Sequence, residues 1–588
     1  MGAEAVTETF DAIVVGAGHN GLVAACYLGR MGYRVGVVEA RPVVGGVCVT
    51  EELVPGFRFS SGAVVLSLLW PKIVRDLELH RHGLRYYHTG VDRVGIWDNG
   101  RVLVLYPELD RQLRALERFS RQDAVGLIRL GSEIRRFAAL YEQTVLAPPP
   151  SMEAFREVFA GADRRVFERI VLGSVGALLE PYFSTPELLG FYAFPGMVSV
   201  DAGPDDPGTA YVYGHHAVGG LDGSLGAHGF VRGGMGGVTE ALAASARSCG
   251  VTFLLGTPVA RIIVADQAVA GAELADGRML AAGAVISNAD AQRTLLGYVG
   301  RSELDAEFVT QLEGIDYEGT MARVYLAVSE LPRYEAAPHD GAGPAAVHRA
   351  FALLGADLDR FRAARRAQRA GAIPEDPVLE ISIQSTDDTS LTRTGTHTLN
   401  LGMMHVPWKL ASGSWDDHRE RLGDIAVKQL LSFAPNLERA IVDRRVATPL
   451  DWERSYGLTK GNIFQGAMGP DSILSRRPVA GWSSYRTPIR GLYLCGSATH
   501  PGGAVSGAPG HNAAGQAIRD LRDGPLSTDE WLARARRTGP PPRRRRHGRG
   551  LAAVSAIPAG AVALHTFARM PILRPVVRRV LTTKAASH

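Results

Sequence analysis

A chain of 588 residues, 46% of them hydrophobic, is long enough to bury more than one core and should form at least two domains. Its net charge of +4 is unevenly spread: residues 531–588 carry 13 Lys and Arg and no acid, leaving 51 basic against 60 acidic residues, or −9, before them, which excludes a basic nucleic-acid-binding body. Cys26, Cys48, Cys249 and Cys495 form no CxxC pair and no metal-ligand spacing, so neither a dithiol centre nor a bound metal is expected.

The N-terminus shows no basic segment leading into an apolar stretch, so no secretory signal is expected and the protein is placed in the cytoplasm. Asp11-Ala-Ile-Val-Val15 is a short β-branched run suited to a buried parallel strand. It leads into Gly16-Ala-Gly18-His-Asn-Gly21. Gly16 permits the tight turn, Gly18 lets backbone approach a pyrophosphate, and Gly21 lets the next helix pack closely. That helix offers free N–H groups at its start to the phosphates. Val35-Gly-Val-Val38 reads as the second strand, with Glu39 at its carboxyl end to accept hydrogen bonds from a ribose diol. NAD and FAD share this logic. A second glycine turn, Arg41-Pro-Val-Val-Gly45-Gly46, suits a cofactor that continues past its pyrophosphate and favours FAD.

Further along, residues 51–62 read as a turn with a short strand, 64–80 as partly helical, and 89–97 and 102–106 as strands of an inserted sheet. From 110 to 200 the apolar spacing becomes helical. A glycine cluster at 229–237 precedes a helix, and strands with an Asp276-Gly277 turn predict a hairpin beside the main sheet. Residues 318–329 and 376–402 read as strands flooring a substrate domain. Leu492-Tyr-Leu-Cys-Gly496 is another strand ending in glycine, followed by a loop with His500 and Val505 and a small-residue helix containing His511 and Asn512. The predicted fold is α/β. Residues 10–100, 225–305 and 485–522 form a discontinuous Rossmann-type FAD-binding domain, 101–224 a helical insertion, and 306–484 a mixed-sheet substrate domain. Residues 523–550 form a basic linker and 551–588 an apolar and basic tail. Arginines in 534–588 suit a peripheral contact with anionic lipid.

The segments Val14–Gly21, Val54–Ser60, Gly233–Gly236, Gly461–Gly466 and Leu492–Gly503 resemble the phytoene desaturase-like group of FAD-dependent amine-oxidase-fold proteins. Within it the chain most resembles the pyridine nucleotide-disulphide oxidoreductase domain-containing proteins. The resemblance implies that Glu39 binds the adenosine ribose, that Gly45 and Gly46 line the flavin side, and that Val259 lies near the adenine. It also implies that Gly496, Val505, His511 and Asn512 lie by the ribityl chain and ring. Many related desaturases carry Arg after the paired glycines, where this chain has Val47 and Cys48. The absence of CxxC removes disulphide chemistry from consideration, and no second nucleotide fingerprint supports a tight NADH site.

The activity expected is oxidation or desaturation of an apolar, polyene or lipid-like small molecule, with oxygen or a quinone accepting electrons. An apolar channel is expected between the helical insertion and the 318–402 sheet. A redox-neutral isomerase and a flavin-stabilised interaction protein are the alternatives. His500 and His216 lead the candidates for proton transfer, ahead of His19, His215 and His511. Cys48 is a packing residue by preference, and Tyr456, Asn462 and Gln465 are candidates for the substrate end of the cavity. The oligomeric state is left open.

Overall fold

The computed structural model describes residues 7–221, 226–337, 343–540 and 542–543. A five-stranded parallel sheet carries the strands in the order Thr252–Leu255, Val35–Glu39, Ala12–Val15, Ala284–Ser287, Leu492–Leu494. Its central strand is buried on both faces. Ala12 and Val14 join one apolar cluster and Ile13 and Val15 another, so this strand reads as a continuous apolar run instead of alternating.

Three helices cover the first face. His19–Arg30 packs between Gly236–Ser248 and Ala508–Asp523. Small residues permit the approach: a β-carbon on Gly510 would lie 2.1 Å from the Asn20 carbonyl oxygen. A four-stranded sheet covers the second face, through Val259–Ala265, Ala268–Leu274, Met279–Ala281 and Thr7–Thr9. The Asp276-Gly277 turn joins its central hairpin, with Gly277 at φ +87°.

The second large unit is a seven-stranded mixed sheet, in the order Ile441–Ala447, Ala322–Val328, His397–Met403, Leu379–Ser382, Phe351–Leu354, Arg93–Ile96, Val102–Val104. Helix Trp415–Leu431 packs on one face over Val324, Ile381, Leu399 and Leu401. Arg93–Ile96 runs parallel to Phe351–Leu354, so the sequence boundary at residue 100 cuts through this sheet. The apolar alternation of 93–96 marks a strand but carries nothing about its partner.

Helices fill most of 109–218, the longest being Arg121–Val145, capped by the Ser120 hydroxyl. Its buried Asp123 accepts from the Ser184 and Thr185 backbone N–H groups, tying the insertion to itself. Residues 64–80 are helical in part, through Pro71–Asp76. The linker assigned from 523 also needs correction. Thr528–Ala535 is a helix with a Ser527/Glu530 capping box, and Trp531 is buried with its indole N–H on the Thr487 carbonyl. Residues 544–588, which hold most of the segment expected to touch lipid, lie outside the described residues. Among the described residues no helix is long and apolar enough to cross a membrane.

Candidate active site

A cavity of about 620 Å³ opens along the carboxyl ends of Ala12–Val15 and Val35–Glu39 and extends to Trp452 and Phe464. At one end stands Glu39. Its carboxylate accepts from the Ala17 N–H at 2.7 Å and the Arg41 N–H at 2.9 Å, so backbone fixes its direction. Val259, Arg293 and Tyr298 line the same end. The two glycine turns lie against each other: Gly45 donates to the Ala17 carbonyl at 2.9 Å, and a β-carbon on Gly46 would lie 3.4 Å from Gly18 Cα. Gly46 has φ +56° and Gly45 φ +128°, which other residues rarely adopt.

Gly16 and Gly18 line the cavity. Gly21 does not; its hydrogen faces the Gly16 carbonyl, where a β-carbon would lie 2.2 Å from oxygen. Asn288 closes the loop from the neighbouring strand end. Its carbonyl accepts from Gln465 Nε2 at 3.0 Å, and Gln465 Oε1 accepts from the Ala498 N–H. Gly496 fits this junction because a β-carbon there would sit 2.3 Å from Gln465 Oε1.

The cavity suits a dinucleotide. His19 Nε2, Asn20 Oδ1 and Arg293 Nε are buried without a hydrogen-bond partner among the described residues, and all three residues line it. Such atoms cost free energy unless a ligand satisfies them. Further along, Glu51 gathers Arg41 at 2.5 Å, Tyr456 at 2.7 Å and the Ser61 hydroxyl. Burial works to raise the Glu51 carboxyl, but these partners hold it below its ordinary value. The Arg41 guanidinium lies 4.7 Å from the Tyr456 ring centroid, and both residues line the cavity.

A second cavity of about 280 Å³ lies between the helical insertion and the seven-stranded sheet, the place expected for the channel. It shares Ala63, Met321, Phe464 and Val505 with the first. Val64, Leu68, Phe194 and Val198 give it an apolar wall, and His216 lines it. Burial lowers the His216 pKa, opposed by the Val212 and Pro195 carbonyls.

The other candidates fall elsewhere. His500 lines neither cavity. It is fully buried, with Nε2 3.0 Å from the Thr144 carbonyl, and burial lowers it to about 4. The structure thus places His500, expected as a proton-transfer group, in the packed core against the end of helix Arg121–Val145 and outside the linings of both cavities. His215 hydrogen-bonds Tyr141 through Nδ1 at 2.8 Å and the Gly503 carbonyl through Nε2 at 3.1 Å, so Nε2 carries the proton. The His511 and Asn512 side chains also lie outside both cavities. His511 bonds Asn512 and sets its ring against Tyr27, while Asn512 donates to the Val145 carbonyl and Tyr485. Asn512 fastens helix Ala508–Asp523 to the end of Arg121–Val145, because buried polar groups must find partners wherever packing puts them. The buried Cys48 thiol donates to the Met235 carbonyl at 3.3 Å and is pushed up to about 12 by burial, so it is no nucleophile. Asn462 braces its own turn through the Phe464 N–H.

Sequence reasoning missed Asn288, Arg293 and the Arg41–Glu51 pair. Asn288 had a usable signal: a polar residue directly after a buried strand sits at the carboxyl edge, where ligands bind in such sheets.

The parallel sheet, paired glycine turns and anchored Glu39 define a flavoprotein oxidoreductase of the Rossmann type. Residues 21–298 match the family model of flavin containing amine oxidoreductase. The rat pyridine nucleotide-disulfide oxidoreductase domain-containing protein 2 (Rattus norvegicus) is 34% identical over 548 residues, covering 87% of this chain and 94% of the rat protein. A limonene dehydrogenase component from Castellaniella defragrans is 26% identical over 532 residues, covering 87% of this chain and 95% of that protein. A crystal structure of an oxidoreductase from Methanosarcina mazei superposes with a TM-score of 0.57 at 15% identity, covering 87% of this chain and 100% of the other. The chain belongs to the family of pyridine nucleotide-disulfide oxidoreductase domain-containing proteins, within the FAD-dependent amine-oxidase and phytoene-desaturase superfamily.

Proposed function

We propose that this FAD-dependent enzyme oxidises or desaturates an apolar, lipid-like substrate held in the second cavity. The observation that carries this reading is the shared wall. Ala63, Met321, Phe464 and Val505 face both cavities, so a molecule in the second lies beside whatever occupies the first. The apolar lining from Val64, Leu68, Phe194 and Val198 favours hydrocarbon by removing its surface from water. The name of the Castellaniella relative, a limonene dehydrogenase component, is in keeping with a hydrocarbon-like substrate.

In this reading Glu39 binds the ribose diol, the 16–18 turn receives the pyrophosphate, and Gly45, Gly46 and Val505 border the flavin end. FAD, when bound, would supply a two-electron acceptor for hydride, with oxygen or a quinone as the proposed final acceptor. The protein orients the substrate carbon against that acceptor and excludes water with Phe464 and Met321. In this reading His216, which lines the second cavity, is the candidate to handle a proton; burial favours its neutral form, and its Nδ1 is turned to the Val212 carbonyl at 3.0 Å.

Anaerobic titration of the holoprotein with fractionated lipids and polyenes, followed through the visible flavin band, tests the reading. Bleaching by one fraction is expected. A band that never bleaches while product isomers accumulate would replace oxidation with redox-neutral isomerisation.

A further inference from the structure

The floor of the second cavity is polar, which a purely hydrocarbon substrate does not require. Cross-strand register aligns Arg323, Gly402, Glu380, Leu353 and Gly95 in one row across the seven-stranded sheet. Strand side chains alternate between faces. The opposite face carries Val324, Leu401, Ile381, Ala352 and Val94 and forms the apolar core. The cavity face carries Arg323, Glu380 and, two residues from Gly95, Arg93; all three line the cavity. Gly402 makes room for the charged pair, since a β-carbon there would lie 2.8 Å from Glu380 Oε2.

These groups retain donors to spare. Arg323 is 3% exposed and donates to Glu380 Oε1 at 3.2 Å and Asn400 Oδ1 at 2.9 Å, yet its Nε has no partner among the described residues. Ser382, on the same face two residues from Glu380, has a buried hydroxyl without a partner as well. Arg93 gives its Nε to Asp92 at 3.3 Å, and no described residue accepts from its terminal nitrogens. His228, also at the cavity, turns Nε2 to the Asp92 carbonyl and so occupies Asp92 instead of Arg93's free edge. Buried donors left unpaired cost free energy, and burying a salt bridge brings no reliable stability in return. Glu380 and Asp92 hold the two guanidinium groups in place without using their full donor sets.

We infer that the substrate is amphipathic: an apolar body against Leu68, Phe194 and Val198, ending in a carboxylate bound by the terminal nitrogens of Arg93 and the unpartnered Nε of Arg323. A guanidinium presents two parallel donors to a carboxylate, a geometry that hydroxyls and hydrocarbons cannot use. This inference rests on the second cavity being the substrate site.

The test is equilibrium binding of dodecanoate, 1-dodecanol, dodecylamine and dodecane to the FAD-loaded full chain. Dodecanoate is expected to bind roughly tenfold or more tightly than the others, as charge-assisted hydrogen bonds predict. Arg93→Met is expected to abolish that preference and Arg93→Lys to keep part of it, with FAD content confirming that each variant folds. Equal or tighter binding of the alcohol, amine or alkane by the wild-type protein overturns the inference without recourse to a variant. An acid preference that survives Arg93→Met also overturns it. Failure of the redox reading is separate: selective dodecanoate binding with no flavin bleaching by any substrate would sink that reading alone.

Discussion

Asn288 stands against Gly18 so closely that a β-carbon on Gly18 would lie 2.6 Å from Asn288 Nδ2. Gly18 has φ −69°, a value any residue adopts, so the constraint there is space and not backbone strain. Gly18→Ala should displace only the end of the Asn288 side chain and leave a folded protein. Its methyl group would occupy the approach to the cofactor, and purified protein should carry less FAD per chain. Gly21→Ala meets the Gly16 backbone oxygen, which has nowhere to move, and should cost about 1–3 kcal/mol of stability. The ratio of flavin to protein absorbance, with thermal melts of both variants, checks the contrast. Full FAD content in Gly18→Ala would sink the steric argument.

Glu39 is held by two backbone N–H groups, one on each carboxylate oxygen. Glu39→Gln keeps one acceptor and replaces the other with a donor that clashes with an N–H. It should weaken FAD binding by roughly tenfold, the scale of a lost hydrogen bond to a charged group. Flavin fluorescence on titrating apoprotein measures this directly. Unchanged affinity would remove Glu39 from the ribose role.

Much of the cofactor frame was legible because short-range rules govern it. Strand, glycine turn, helix, strand and acid follow one another within residues 11–39, and each glycine answers a local need for space or positive φ. Side-chain assignments failed where tertiary packing decided them. His500, His511 and Asn512 sit beside a glycine-rich loop in sequence, yet His500 and Asn512 turn toward the end of helix Arg121–Val145 and the His511 ring toward Tyr27 of helix His19–Arg30, hundreds of positions earlier in the chain. The partnership of Arg323 with Glu380 was equally hidden. It depends on Gly402 lying between them in the register, which neither strand reveals alone.

Buried neutral histidines should make the protein acid-sensitive. Burial lowers His19, His405 and His500 to about 4, and His215 to about 3, from 6.5. Each folded pKa lies below the unfolded one, so protonation favours the unfolded chain. Stability is therefore full above pH 6.5 and falls as pH drops from there toward 4, by up to about 1.4 kcal/mol per pH unit per group. The Asp520 and Asp123 carboxyls, held low against burial by their partners, add their losses only at lower pH. Melting temperatures between pH 7.5 and 4.5 test this, with His500→Gln expected to give a shallower decline. A flat profile across that window would contradict the burial assigned to these rings.

Arg477 is a fully buried cation with no carboxylate partner among the described residues. Its guanidinium donates to the carbonyls of Phe464, Ala467 and Ser497 at 2.6, 2.6 and 2.7 Å. Burial lowers it to about 10, opposed by Tyr317, Tyr211 and Tyr141, so it remains charged at neutral pH. Phe464 and Ser497 both line the cofactor cavity, so this one side chain sets the position of two separate cavity segments. Arg477→Met removes the charge but strands several carbonyls, each worth about 1–3 kcal/mol when left unsatisfied. Arg477→Lys keeps the charge but cannot reproduce the planar fork. Both variants should lower the melting temperature and loosen FAD. If charge were the main contribution, Lys would rescue FAD affinity; because geometry carries it, Lys should behave nearly as poorly as Met. Thermal melts with and without added FAD, run on both variants, separate the two, and a wild-type-like Arg477→Lys would overturn the bracing role.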